Sequence, residues 1–256
     1  MKVLACLKRV PNTGAKIVLT EDEQRIDTSG LGFTMSPHEE CAIEEAVAQV
    51  ETHGGSAHVL TLGPPEADEQ LRTGLAMQAN EATLLETDDE EWSPRATADA
   101  LADGIDRLDD DEGFDLLLFG NESADAANYQ VAVRVASELG YPCVTGIKDL
   151  EVEDGTAIAR REISGGEEVY EVGLPAVVTV KEGLNEPRYA SMRAKMQARR
   201  QEIESVEPRA ETRAGGLEKV RLEAPETDDS PAEILGEGPE AVPEIVEILA
   251  EEVEVV

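Results

Sequence analysis

The chain has 256 residues and a formal net charge of −34, from 56 acids against 22 lysines and arginines, with 41% hydrophobic and only 3% aromatic residues. That length buries one large core, which Val, Leu, Ile and Ala must fill, and the charge excludes a nucleic-acid partner, because phosphate binding needs net positive surface. No apolar run approaches the ~18 residues that span a bilayer, so direct membrane insertion is excluded, and MKVLACL is too short for a signal peptide.

Lys2–Leu7 reads as a strand buried on both faces. Glu39–Val50 follows with Ala42, Ile43, Ala46, Val47 and Val50 on one helical face. Ala57–Leu62 is a second strand, closed by Gly63-Pro64-Pro65, and Glu66–Gln78 a second helix with Leu71 and Leu75 at four-residue spacing. Ala82–Leu85 is a third strand. Ser93 caps the next helix with Pro94 at its first position. Phe114–Phe119 (FDLLLF) is a fourth strand, and Asn128–Leu139 carries Val131, Val135 and Leu139 on one face. This alternation predicts βαβ units: an α/β fold with an open, mostly parallel sheet and helices on both faces.

After Gly140 the pattern changes. Thr156–Ile163, Glu168–Gly173 and Ala176–Val180 read as strands, the first two split by Ser164-Gly165-Gly166, and suggest a small β annex. Leu184–Arg200 reads LNEPRYASMRAKMQARR, with five basic residues and one acid, against the trend of the whole chain. From Leu222 to Val256 there is no basic residue, and one apolar stripe, Val242, Ile245, Val246 and Leu249, is expected to form a short helix at the end of an extended arm. The division expected is residues 1–205 as the α/β domain and 206–256 as an acidic C-terminal arm.

Three cysteines, Cys6, Cys41 and Cys143, show no CxxC or Cys/His spacing, so no metal site is expected and a reduced, cytoplasmic protein is the simplest reading. GxxxxGK[ST], GxGxxG and GxSxG are all absent, and His38, His53 and His58 are isolated. No catalytic residue is expected. Open α/β sheets bind ligands outside the carboxyl ends of their strands. The first strand ends near Cys6, the fourth in Gly120-Asn121-Glu122-Ser123-Ala124-Asp125, and Met35-Ser36-Pro37-His38 opens the first helix. Each alone is an ordinary loop or cap. Together, on one sheet edge, they point to a nucleotide site, with the N–H groups at the start of the helix near Asn128 available to an anion.

At these residues the chain resembles the β subunit of electron transfer flavoprotein, including its FixA-type relatives, over about the first 205 residues. The most specific piece is LPAVVTVKEGLNEPRYASMRAKMQARRQEI (174–203), supported by LKRV (7–10), Ser36-Pro37 before Glu44-Glu45-Ala46, LRTGLAMQAN (71–80) and REISGGEEV (161–169). The resemblance implies an adenine nucleotide alpha hydrolase-like, Rossmann-like fold and an electron-carrier subunit with no catalytic site of its own. It implies a heterodimer whose α subunit holds the redox-active FAD; the C-terminal arm, whose one apolar stripe cannot form a core alone, is expected to embrace that subunit. It implies transfer from acyl-CoA and related dehydrogenases, as in fatty acid beta-oxidation, to a membrane quinone oxidoreductase.

The resemblance also assigns residues. Nucleotide contacts are expected at Cys6, Ser36, Pro37, His38, Glu39, Leu62, Gly120, Asn121, Glu122, Ser123, Ala124, Asp125, Ala126, Ala127, Asn128, Tyr129, Gln130 and Val131. The bifurcating branch of the family binds a second FAD there, on a pattern close to Asp-Gly-Asp-Thr-Ala-Gln-Val-Gly. This chain has Asp125-Ala126-Ala127-Asn128-Tyr129-Gln130-Val131-Ala132, without either glycine, which favours AMP over a second FAD. His38 stands where the family has an aromatic residue. Partner docking is expected at Leu184, Asn185, Pro187, Arg188, Tyr189, Met192, Lys195, Met196 and Arg199, with Met192 as the apolar anchor. Glu162 is expected to orient the mobile FAD-bearing domain. The alternative is a regulatory α/β protein that binds adenine nucleotide and transfers nothing; a ligase or hydrolase of similar fold is opposed by the absent phosphate motif. The acid excess, with lysine rarer than arginine, resembles the proteins of salt-loving archaea.

Overall fold

A computed structural model describes residues 1–12, 14–88, 91–108, 113–210, 219–225 and 234–251. The chain divides into two units, Met1–Arg221 and Leu222–Val256. In the first, the elements run β1 (Lys2–Cys6), β2 (Val10–Pro11), β3 (Phe33–Thr34), α1 (Pro37–His53), β4 (Ser56–Gly63), α2 (Asp68–Ala76), β5 (Glu81–Glu86), α3 (Pro94–Leu108), β6 (Leu116–Gly120), α4 (Val131–Leu139), β7 (Cys143–Ile147), β8 (Asp149–Glu153), β9 (Thr156–Ile163), β10 (Gly166–Gly173), β11 (Ala176–Val180), α5 (Met192–Ala198) and β12 (Glu204–Val206).

Seven strands form the central sheet in the order β12-β5-β4-β1-β6-β11-β7, and every pairing in it is parallel. The open α/β architecture predicted from the alternation is the one observed. Alternate residues of the central strands feed two cores. Val3, Ala5, Leu116, Leu118 and Val178 face Ala42, Ile43 and Ala46 of α1 and Leu71 and Leu75 of α2. Leu4, Cys6, Leu117, Phe119 and Val177 face Ala98, Leu101 and Ile105 of α3 and Ala132, Val135 and Ala136 of α4. That two-sided burial is why these strands read as continuous apolar runs.

The annex is a three-stranded antiparallel sheet, β10-β9-β8. Ala176–Val180, a strand as expected, enters the central sheet between β6 and β7, and all five of its residues are buried. From β11 the chain then travels across the α1 and α2 side of the sheet, through α5, to β12 at the opposite edge.

In the second unit a 3₁₀ turn, Gly238–Ala241, leads into α6 (Val242–Glu251). No α6 residue is buried, and Val242, Ile245 and Val246 are exposed. Residues 211–218, 226–233 and 252–256 of the expected arm lie outside the described residues. Among the described residues no helix is long and apolar enough to cross a membrane, and no cluster of His, Cys, Asp or Glu could hold a metal ion.

Candidate functional site

From β1 the chain builds outward through β4 and β5, then returns past β1 to start β6. The β1–β6 boundary is therefore a topological switch point, where an open sheet leaves a crevice at its carboxyl edge. Cys6 and Phe119 are register partners there, so the strands end level.

Glu39 is the structural centre of the crevice. Ser36 caps α1, and the capping box is complete: the Glu39 N–H donates to Ser36 Oγ at 3.4 Å and the Ser36 N–H donates to Glu39 Oε2 at 2.8 Å. The Lys8 N–H also donates to the Glu39 carboxylate, tying the end of β1 to the start of α1. Glu39 is 5% exposed, and burial pushes its carboxyl up to about 7 against the opposing pull of these hydrogen bonds and the Lys8 charge. Burial, then the neighbouring Glu39, holds the Cys6 thiol well above its ordinary value, so Cys6 packs as a neutral thiol. Gly120 ends β6 directly beneath α1, where a Cβ would lie 2.8 Å from Glu39 Cγ.

The loop after β6 is held from both sides. The Asn121 N–H donates to the Val180 carbonyl, and Asn121 Oδ1 accepts from Thr179 Oγ1 at 2.8 Å. The Glu122 carbonyl accepts from Ser36 Oγ at 3.4 Å, and its carboxylate takes the Tyr129 hydroxyl. Lys8 Nζ reaches both carboxylate oxygens of Asp125, at 2.6 and 2.8 Å. Burial raises the Asp125 carboxyl, but Lys8 and the hydrogen bonds from Ser123 and the Ala126 N–H outweigh it, leaving the group below its ordinary value. Residues 124–130 are exposed, and Ala127 and Tyr129 sit at φ 45° and 55°, left-handed values uncommon away from glycine. Gln130 contributes no side-chain cap to α4 and instead accepts from Arg134. Val131 and Leu62 are half-buried against the α3–α4 core. His38 Nδ1 accepts from the Glu182 N–H at 2.7 Å, which puts the ring proton on Nε2, 3.5 Å from Glu122.

Beside the crevice, His38, Gly146, Lys148, Glu162, Lys181 and Glu182 line a cavity of about 310 Å³. Glu162 is largely exposed there and pairs with Lys148 at 3.4 Å. A larger depression of about 490 Å³, lined by Met1, His53, Asp115 and Leu174, lies at the amino edge, where strands begin, and gathers none of the predicted site residues.

The basic segment forms the second surface. Ser191 caps α5, accepting from the Ala194 N–H. Tyr189, Met192 and Met196 are 92%, 74% and 54% exposed, with Lys195 Nζ 5.0 Å from the centre of the Tyr189 ring. Pro187 and Arg199 are exposed as well, while Leu184 packs partly against the core. Asn185 and Arg188, expected on the docking face, turn their side chains onto α1 instead. Three residues outside the predicted set also shape these sites: Lys8, Arg72 and Arg161. Arg161 grips Glu168, the Tyr170 hydroxyl and the Thr145 carbonyl, joining the annex to β7. LKRV and LRTGLAMQAN contain Lys8 and Arg72, whose partners Asp125 and Ala198 are far off in sequence, whereas REISGGEEV holds both Arg161 and its partner Glu168.

Residues 25–211 match the family described as electron transfer flavoprotein domain. The chain is 36% identical over 207 residues to the electron transfer flavoprotein subunit beta of Bacillus subtilis, covering 81% of this chain and 79% of the relative. It is 36% identical over 208 residues to the caffeyl-CoA reductase–Etf complex subunit CarD of Acetobacterium woodii, covering 79% and 77%. With the electron transfer flavoprotein subunit beta of Megasphaera elsdenii it shares 34% over 215 residues, covering 82% and 79%. The chain belongs to the electron transfer flavoprotein family and is of its beta-subunit type.

Proposed function

We propose that this chain is the β subunit of a heterodimeric electron transfer flavoprotein. In this reading it pairs with an α subunit that carries FAD, binds AMP in the switch-point crevice, and docks acyl-CoA and related dehydrogenases through α5. The electrons pass on to a membrane quinone oxidoreductase. FAD on the partner supplies the redox chemistry; the residues of this chain bind, orient and dock.

The exposed Tyr189-Met192-Met196 face, ringed by Arg193, Lys195, Arg199 and Arg200, carries the reading. A solvated helix gains nothing from two exposed methionines, whereas a docking face gains adaptable thioethers that re-pack against different partners. The surrounding cations on a chain of charge −34 steer an acidic partner. The crevice residues fit an adenine nucleotide. The small run Ser123-Ala124-Asp125-Ala126-Ala127 allows close backbone approach, and the uncapped start of α4 offers N–H groups to a phosphate. The bare stripe of α6 needs a surface to cover it, and we assign that surface to the α subunit; a helix this short is marginal alone. The charge excess suits a salt-rich cytoplasm.

A second reading has a specific basis. One relative belongs by name to a caffeyl-CoA reductase–Etf complex, so a β subunit with a second FAD in the crevice is the competing assignment. Co-purifying the chain with its α subunit and counting cofactors separates the two. One FAD and one AMP per complex is expected, two FADs supports the second reading, and a colourless homodimer defeats both. A chain ending at Arg221 should give a weaker complex that loses FAD.

Met192→Ala should raise the apparent KM for an acyl-CoA dehydrogenase about tenfold, the size of an ordinary interface hot spot, with FAD content unchanged. Unaltered kinetics with several donors would remove Met192 from the docking face.

A further inference from the structure

We infer that Arg188 and Arg72 are positioning residues for docking: from opposite ends they clamp segment 185–201 onto α1 and α2, so that the Tyr189-Met192-Met196 face is presented preformed. The inference rests on the docking role proposed for α5.

Arg188 grips α1 through five hydrogen bonds. Its backbone N–H and Nε both donate to Glu44 Oε2 at 2.9 Å, and Nη2 donates to Glu44 Oε1 at 2.9 Å. Nη1 and Nη2 also reach Glu51, at 2.8 and 3.1 Å. Glu44 and Glu51 lie seven residues apart, two turns along one helix face, so a single planar guanidinium spans both carboxylates. The Arg188 side chain is 21% exposed and that of Glu44 12%, which sets this contact apart from a loose surface pair. Hydrogen bonds that Arg188 donates to Glu51 and then to Glu44 raise its pKa further, so the clamp stays charged. Three residues earlier, Asn185 Nδ2 donates to the Cys41 carbonyl and to Glu45 Oε2, both at 3.1 Å, and Cys41 Sγ meets the Asn185 carbonyl at 3.7 Å. The Glu44-Glu45 pair of α1 is thus the seat of the Asn-Glu-Pro-Arg segment.

The other end is held by Arg72 of α2. Its Nη1 donates to the carbonyls of Ala198, the last residue of α5, and Gln201, just beyond it, at 2.7 and 3.2 Å, and the Ala198 carbonyl also accepts the Gln201 N–H. Asp68, one turn back, fixes the guanidinium at 2.5 and 3.0 Å. A seven-residue helix is far too short to persist alone, so these two clamps and Ser191 determine its order. Ordering completed on folding need not be supplied on binding, and that difference appears as affinity for the partner.

The test uses the full αβ complex carrying Arg188→Met, Arg188→Lys or Arg72→Met. Each is read by trypsin cleavage within residues 193–200, by KM and kcat with a purified acyl-CoA dehydrogenase, and by flavin content. Arg188→Met and Arg72→Met should each speed cleavage and raise KM about tenfold, with kcat and flavin retained. Arg188→Lys should recover only part of this, because an ammonium cannot bridge both carboxylates as a fork does. If Arg188→Met fails to fold, Glu51→Gln, at the exposed half of the clasp, should give a smaller shift of the same kind. Unchanged cleavage overturns the clamp. Faster cleavage with unchanged KM overturns its role in docking. The docking reading fails separately, if Met192→Ala leaves KM unaltered.

Discussion

Gly120→Val is expected to lower stability by about 3 kcal/mol or more, at the upper end of overpacking costs, and to abolish the nucleotide binding proposed for the crevice. A Cβ at this position would lie 2.8 Å from Glu39 Cγ, 3.2 Å from the Glu39 nitrogen and 3.2 Å from His38 Cβ. Neither wall can yield cheaply. β6 is paired on one side with β1 and on the other with β11. The start of α1 is fixed by its capping box and by the bond from the Lys8 N–H to Glu39. Relief requires lifting α1, which parts Ser36 from Glu122 and opens the loop that would hold the nucleotide. Gly166→Ala is the control, since nothing lies within 4 Å of its Cβ position. Urea unfolding and nucleotide released by acid from the purified complex check the result. A Gly120→Val chain as stable as the control and still loaded would contradict this account of the crevice.

Glu39 gives the second large effect, through pH. Its carboxyl titrates at about 7 in the fold against 4.5 when unperturbed. The folded state therefore keeps a proton that the unfolded chain has already lost, so this group's share of stability is fully present below about 4.5 and is lost as pH rises to about 7. A shift of that size corresponds to about 3 kcal/mol. Cys6 of β1, Lys8 after β1 and Ser36 before α1 face the carboxylate, and only Lys8 brings a compensating charge. Glu39→Gln removes the titration. Relative to the parent, the variant should become more stable by most of that amount between pH 5 and pH 8 at constant salt. A stability difference that stays flat across this window would show that Glu39 ionises normally in the fold.

The parts of the fold legible in the sequence are those whose burial leaves a local pattern. β1 and β6 are buried on both faces and read as short apolar runs; α1 shows its stripe through Ala42, Ile43, Ala46 and Val47. β12 shows nothing, because Glu-Ser-Val is a three-residue edge strand held by backbone pairing to β5, by Ser205 donating to Glu86 and by one packed side chain, Val206, too little to leave a local pattern. β7 is hidden for a different reason: Cys143–Ile147 (CVTGI) is interrupted by Thr145 and by Gly146 at φ 69°, so no continuous apolar run remains. In the crevice, Ser36-Pro37-His38-Glu39 is legible as a helix start and the small loop after Gly120 as a turn at the carboxyl edge of the sheet. Lys8 is not, since its partner Asp125 is 117 residues away. Arg188 looked like one more cation of an exposed basic run, and only the fold brings Glu44 and Glu51 beneath it, 144 and 137 residues earlier.

The crossing from β11 to β12 has a consequence for biosynthesis. The two strands are five sheet positions apart, about 24 Å at ordinary strand spacing, and residues 181–203 bridge them over α1 and α2. The bridge can tighten only when both halves of the sheet stand, because each end is anchored to a different half. Its clasps, from Arg188 to Glu44 and from Arg72 to the Ala198 and Gln201 carbonyls, likewise require finished helices beneath it. An incomplete chain, or one stalled with a single half assembled, therefore leaves segment 185–201 without its clasps. On the docking role proposed for α5, completion of the sheet and readiness to dock would then be one event, since the face is ordered only when both halves of the sheet are in place.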